Sequence, residues 1–195
     1  MRKVVAAVCA LVALIAAYEV WPLYGLHRIS NAVVRRDGAD LLARVDVPSL
    51  KRSLGEQIAR AYLRQTGKDK GLNDLQVTLA VRLATAMADA RISEMVRAED
   101  LIRLLGESGT GSFGAAGVAL PRLEAPNLDS LFRFIAQSER AGRDFSTLVP
   151  LGADAATGYR LHLQLQGLTW KLTAIDLPEA VTTRIAGEIA KVRPG

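Results

Sequence analysis

The chain reads as an α+β protein: an N-terminal membrane helix, a helix-rich first half, then a C-terminal three-stranded antiparallel meander followed by a helix. Three observations predict this. Residues 4 to 18 carry no charge and are almost wholly apolar behind Arg2 and Lys3. From there to about residue 105 the apolar residues recur at three- and four-residue spacing, the period of helices packed by one face. After Gly142 the period drops to two, the signature of strands with one face buried. Helices first and strands later point to α+β rather than to alternating βα units.

The first segment is the most informative. Val4 to Tyr18 holds seven Val, Leu or Ile, six Ala, Cys9 and Tyr18. On an insertion scale the seven supply roughly −2 to −4 kcal/mol. Fifteen helical residues span about 22 Å, short of a hydrocarbon core of roughly 30 Å, and continuing through Leu26 reaches about 35 Å. Glu19 is the one charge on the way, and Tyr18, Trp21 and Tyr24 suit the headgroup layer, their rings being apolar at one end and polar at the other. Residues 1–26 are therefore expected to be an anchor. A cleaved signal peptide shares the basic start and apolar run, but small residues are not paired as cleavage requires: Ile15 stands two before Ala17 and Leu14 two before Ala16. Val8 before Cys9 likewise argues against a lipoprotein. Arg2 and Lys3 hold the amino terminus in the cytoplasm and send the rest outward, against the pull of Arg28, Arg35 and Arg36.

Residues 27–195 make one domain, long enough for a real core. Of 25 Lys and Arg in the chain, the excess over acids lies in residues 28 to 70, beside the anchor, where anionic headgroups attract it. Cys9 is the single cysteine, so the domain has no disulfide and no thiol nucleophile.

Along the domain, Leu23, Leu26, Ile29, Ala32 and Val33 continue the anchor into an amphipathic helix ending at Arg36. Asp37 caps a short helix, and Pro48 opens another with Leu50, Leu54, Ile58 and Ala61 on one face. Asn73 caps what reads as the longest helix, about 74–96, whose face Leu75, Leu79, Leu83 and Ala86 is backed by Val77, Val81 and Ala84; apolar on two sides, it is expected at the centre of the core. A short helix with Leu101, Leu104 and Leu105 follows. The five glycines between Gly106 and Pro126 predict a flexible loop, and Asn127 caps a helix with Leu128, Leu131, Phe132 and Ile135. The strands carry Phe145, Thr147 and Val149; Leu161, Leu163 and Leu165; and Thr169 to Ile175, with a turn at Gln166 and Gly167. Pro178 opens the last helix, with Val181, Ile185, Ile189 and Val192 on one side.

No catalytic constellation accompanies these elements. Gly109 to Gly114 spells G-x-G-x-x-G but follows a helix and runs into more loop, so no helix N-terminus meets a pyrophosphate. The two histidines, His27 and His162, have no neighbours at metal-ligand spacing, so neither metal nor cofactor is expected. Asp37, Asp40 and Asp46 are explained by capping and turns. The basic run Lys51, Arg52, Arg60, Arg64, Lys68 and Lys70 is interleaved with Tyr62 alone, too few aromatics for base stacking, which excludes nucleic acid as the expected partner.

Tyr18, Trp21, Pro22, Tyr24, Leu26, Ala32, Asp37, Leu41, Val45, Asp46, Pro48, Leu50, Leu54 and Gln57 together resemble the opening of the bacterial domain-of-unknown-function family 2939. Trp170, Lys171, Leu172, Ile175, Leu177 and Pro178 are similar to its ending. The resemblance implies a single-pass protein of the bacterial inner membrane with its domain in the periplasm, and supplies no catalytic residues.

The leading expectation is a non-enzymatic tethered module, held by the lipid bilayer, that binds an envelope protein or a small apolar ligand in a cleft lined by Phe145, Trp170 and Leu172, unless these three simply fill the core. The alternatives are an envelope hydrolase using His162 with Asp144 or Asp154, and an assembly role for the loop from Gly106 to Pro126.

Overall fold

The computed structural model describes residues 2–106, 138–151 and 154–192. Helix α1, Arg2–Val34, runs unbroken through residue 26 and is followed by α2, Gly38–Ala43; α3, Val47–Thr66; α4, Asp74–Met95; and α5, Ala98–Gly106. Strands β1, Ser138–Ala141; β2, Asp144–Leu151; β3, Asp154–Gln166; and β4, Thr169–Asp176 precede the last helix, α6, Glu179–Val192. The ends are set by local chemistry. Asp37 accepts from the Asp40 amide at 2.9 Å to start α2, and Asp46 from the Ser49 amide at 3.2 Å to start α3. Asn73 and Gln76 exchange two 2.9 Å bonds ahead of α4, a reciprocal box that satisfies amides the helix cannot. Gly67, at φ +66°, ends α3 in the left-handed region that glycine enters without strain.

The sheet has four strands, not three, in the order β1-β2-β3-β4, every neighbouring pair antiparallel. The extra strand is Ser-Glu-Arg-Ala, too short and too polar to show a period of two; it is specified by its turn at Gly142 and by pairing Arg140 with Phe145. One sheet face is apolar. Leu161, Leu163, Leu172 and Ile175 are buried there with Leu26 and Ile29 of α1, Leu50, Leu54 and Ile58 of α3, Leu101 and Leu105 of α5, and Val181 of α6 in a single cluster. The outer edge of β4 is closed rather than left as a template for another strand. The Asp46 amide donates to the Leu172 carbonyl at 2.8 Å and the Leu172 amide to the Arg44 carbonyl at 2.9 Å. Further along, the Gln57 side chain donates to the Ile175 carbonyl and accepts from the Leu177 amide, both at 2.9 Å.

The expected core face of α4 is inverted. Leu75, Leu79 and Leu83 are 61–77% exposed, whereas Val81 on the opposite side is 3% exposed and packs with Ala59 and Leu63. The small side wins because α3 offers Gly55 there: a Cβ on Gly55 would lie 2.4 Å from Thr85 Cγ2, an approach the leucine ridge would not permit. The longest helix is α1, not α4. Beyond Gly106, which closes α5, the expected Gly-rich loop and the helix after Asn127 lie outside the described residues. Among the described residues no helix is long and apolar enough to cross a membrane; the side chains of residues 12–17, inside the uncharged run, are not part of that description.

Candidate functional site

Two places carry chemistry beyond packing. The first is where α1 passes from exposed to buried. Pro22 lies inside α1 and has no amide hydrogen, which deprives the Tyr18 carbonyl, four residues earlier, of its helical donor. Arg140 of β1 supplies one: its Nη1 donates to the Tyr18 carbonyl at 2.6 Å, and its guanidinium lies 3.6 Å from the centre of the Tyr18 ring. The Tyr18 hydroxyl donates to the Gly142 carbonyl at 3.4 Å. One turn past Pro22, Gly25 lets the helix backbone touch Trp170, since a Cβ there would stand 2.5 Å from Trp170 Cβ. Phe145 meets Trp170 edge to face at 6.2 Å.

Phe145, Trp170 and Leu172, the residues expected around an apolar cleft, therefore stand together on the inner sheet face, at most 4% exposed. Sequence reasoning missed Arg140 and Gly25. A signal for the first existed: a proline inside a helix leaves a carbonyl that needs a donor from elsewhere.

The second place is the solvent face of the sheet, a groove of about 680 Å³ lined in part by Glu139, Asp144, Ser146, His162 and Asp176. The pairing of His162 with Asp144, on which the hydrolase alternative draws, is not formed among the described residues. The His162 Nε2 lies 2.6 Å from Oδ2 of Asp176, because the β3–β4 register sets Asp176 opposite Arg160, one diagonal step from His162. Asp144 accepts instead from Gln164 at 2.9 Å. Asp154 begins β3, with its side chain outside the description. Arg160 donates to Ser146 Oγ at 3.2 Å and pairs with Glu139 at 3.3 Å. The arrangement offers an imidazole–carboxylate pair, a hydroxyl and mixed charge to a polar partner. Among the described residues no three potential ligands converge on a metal. His27, far from the groove, shares a 2.9 Å bond with Asn31.

The remaining sequence features have local partners. Arg60 faces Glu56 at 4.0 Å, Arg64 faces Glu179 at 3.5 Å, and Lys68 sits over Tyr62, a solvated helix face. Arg44, donating to Asp40 at 2.7 Å, holds that carboxyl below its usual range. Asp46 is held low first by the bond from Gln166, at 2.7 Å, and then by Ser49. A depressed carboxyl stabilises the fold above the ordinary carboxylate range, and that contribution is lost as pH falls through the lowered value. Asp46→Ala is therefore expected to cost about 1 kcal/mol at pH 7 and to flatten the acid limb of the stability curve. Urea denaturation between pH 7 and pH 3 reads both; an acid limb as steep as wild type would contradict it.

With this geometry in place, residues 11–104 match the model of a family described as Protein of unknown function (DUF2939), which supports the family resemblance read from the sequence. The match takes in α2, α3, α4 and most of α1, including Pro22 and Gly25, and stops short of the sheet. No curated protein and no solved structure matches the chain.

Proposed function

We propose that this chain, which matches the DUF2939 family model, is a single-pass, membrane-tethered module whose domain faces the periplasm and engages an envelope partner without catalysing a reaction. The observation that carries it is the division of α1. Every described side chain from Arg2 to Leu11 is exposed on all sides of the helix, with Val4, Val5, Val8 and Leu11 each more than half exposed. From Leu23 onward the same helix is core. An apolar helix that finds no cover among the described residues, and that continues into the centre of a folded domain, is what a bilayer would cover. The polar face around His162 and Asp176 is then the surface offered to a partner.

A C-terminal alkaline-phosphatase fusion, active only outside the cytoplasm, combined with carbonate extraction and sizing of the mature chain, tests the reading. The expected result is an active fusion, retained in the membrane pellet at full length. An inactive fusion, a carbonate-soluble chain or one shortened by its leader would overturn it.

A further inference from the structure

A single exposed leucine is ordinary on a protein surface; the position of Leu168 is not. It is 80% exposed at the tip of the β3–β4 hairpin, beside Gly167 at φ +63°, where turns usually carry polar residues. That tip lies beside the β1–β2 tip. The Leu165 amide donates to the Arg143 carbonyl at 2.8 Å, and the Arg143 guanidinium folds onto the Leu165 carbonyl at 2.9 Å. Leu168 is three residues further on, about 10 Å of strand. The β1–β2 tip is in turn fastened to α1 where the helix leaves the domain, through Tyr18 to Gly142 and Arg140 to Tyr18. Both tips thus stand at the end of the sheet that α1 crosses between Tyr18 and Gly25; the first carries Arg143, and Lys171 lies on β4 three residues past Leu168.

We propose that the paired tips, Gly142–Arg143 and Gly167–Leu168, are a second lipid-contacting surface beside the anchor, with Leu168 entering the interfacial layer and Arg143 and Lys171 meeting anionic headgroups. This rests on the tether reading of α1. It makes the domain a body held flat against the bilayer rather than one swinging on a stalk, with the His162 groove in a fixed orientation to the membrane. Cationic side chains flanking an apolar tip are complementary to anionic lipid.

The test uses the full chain with Cys9→Ser, reconstituted in vesicles of phosphatidylcholine and phosphatidylglycerol and labelled with an environment-sensitive fluorophore at Leu168→Cys or, as a control, at Leu79→Cys. Leu79 is exposed on α4 beside Ala80, which packs against Ala59 and Leu63 of α3, and Ala59 lies about 20 Å along α3 from Asp46, which binds Gln166. Flotation of the vesicles reads the anchor by itself. The expected result is flotation, with blue-shifted emission and quenching by lipid-borne nitroxide at position 168 and neither at 79. Adding Arg143→Glu should reduce the quenching about twofold in the anionic vesicles and leave it unchanged in phosphatidylcholine alone. A chain that floats while the label at 168 behaves as in water would overturn the second contact and spare the anchor. Failure to float would overturn both.

Discussion

Gly25→Leu is expected to destabilise the domain by about 3 kcal/mol or more, at the upper end of what overpacking costs, and to expose Trp170 to solvent. The cause is geometric. Gly25 sits against Trp170 so closely that even a methyl group would fall 2.5 Å from Trp170 Cβ. Trp170 cannot retreat, because Phe145 packs against one side of it and Leu172, two residues on, is pinned by Arg44 and Asp46. Gly25→Ala sharpens the test: alanine gains about 1 kcal/mol of helix propensity over glycine, so any net loss reports the collision. Gly187→Ala, in helix α6, is the contrast. There the new methyl meets only the end of the Gln65 side chain, at 3.4 Å, and the expected change is neutral to stabilising. Urea denaturation followed by tryptophan fluorescence reads all three. Equal effects at the two glycines would contradict the close approach of α1 to the sheet.

Gln57→Ala is expected to cost about 2–4 kcal/mol, the penalty for leaving two partly buried backbone groups without partners. One side chain from α3 serves both the Ile175 carbonyl and the Leu177 amide across a sequence separation of 118–120 residues. It closes the end of β4 where the Val45–Leu172 bridge no longer reaches. Gln57→Glu keeps the acceptor for Leu177 but loses the donor to Ile175, so its cost should fall between wild type and alanine. Denaturant titration of the three proteins orders them; an alanine variant as stable as wild type would show that water replaces the clamp.

The helices of the first half were legible because their punctuation is chemical and local: Asp37, Asn73, Pro48 and the break before it act on their own neighbours. The sheet was legible in its three apolar strands. What escaped was decided by contacts remote in sequence. The strand Ser138–Ala141 has no apolar alternation and exists through its pairing with β2. The orientation of α4 was undecidable from a helix apolar on two sides; Gly55 on α3 selects the side that comes close. The His162 partner depended on the β3–β4 register and its irregularity after His162, which no spacing reveals. Of the junction residues, Tyr18 and Trp170 stood out as aromatics, while Arg140 became meaningful only once Pro22 was seen to free a carbonyl beside it.

Helix α1, proposed to serve lipid in its first half and the protein core in its second, makes a demand that deletion can meet. Removing residues 2–17 should leave a chain that no longer pellets with membranes yet melts within a few degrees of the full-length protein, because Tyr18, Gly25 and the buried turns after them remain; removing residues 2–34 should abolish cooperative melting. If the shorter deletion fails to fold, or if the full-length chain never enters the membrane fraction, the division of α1 between bilayer and core is wrong.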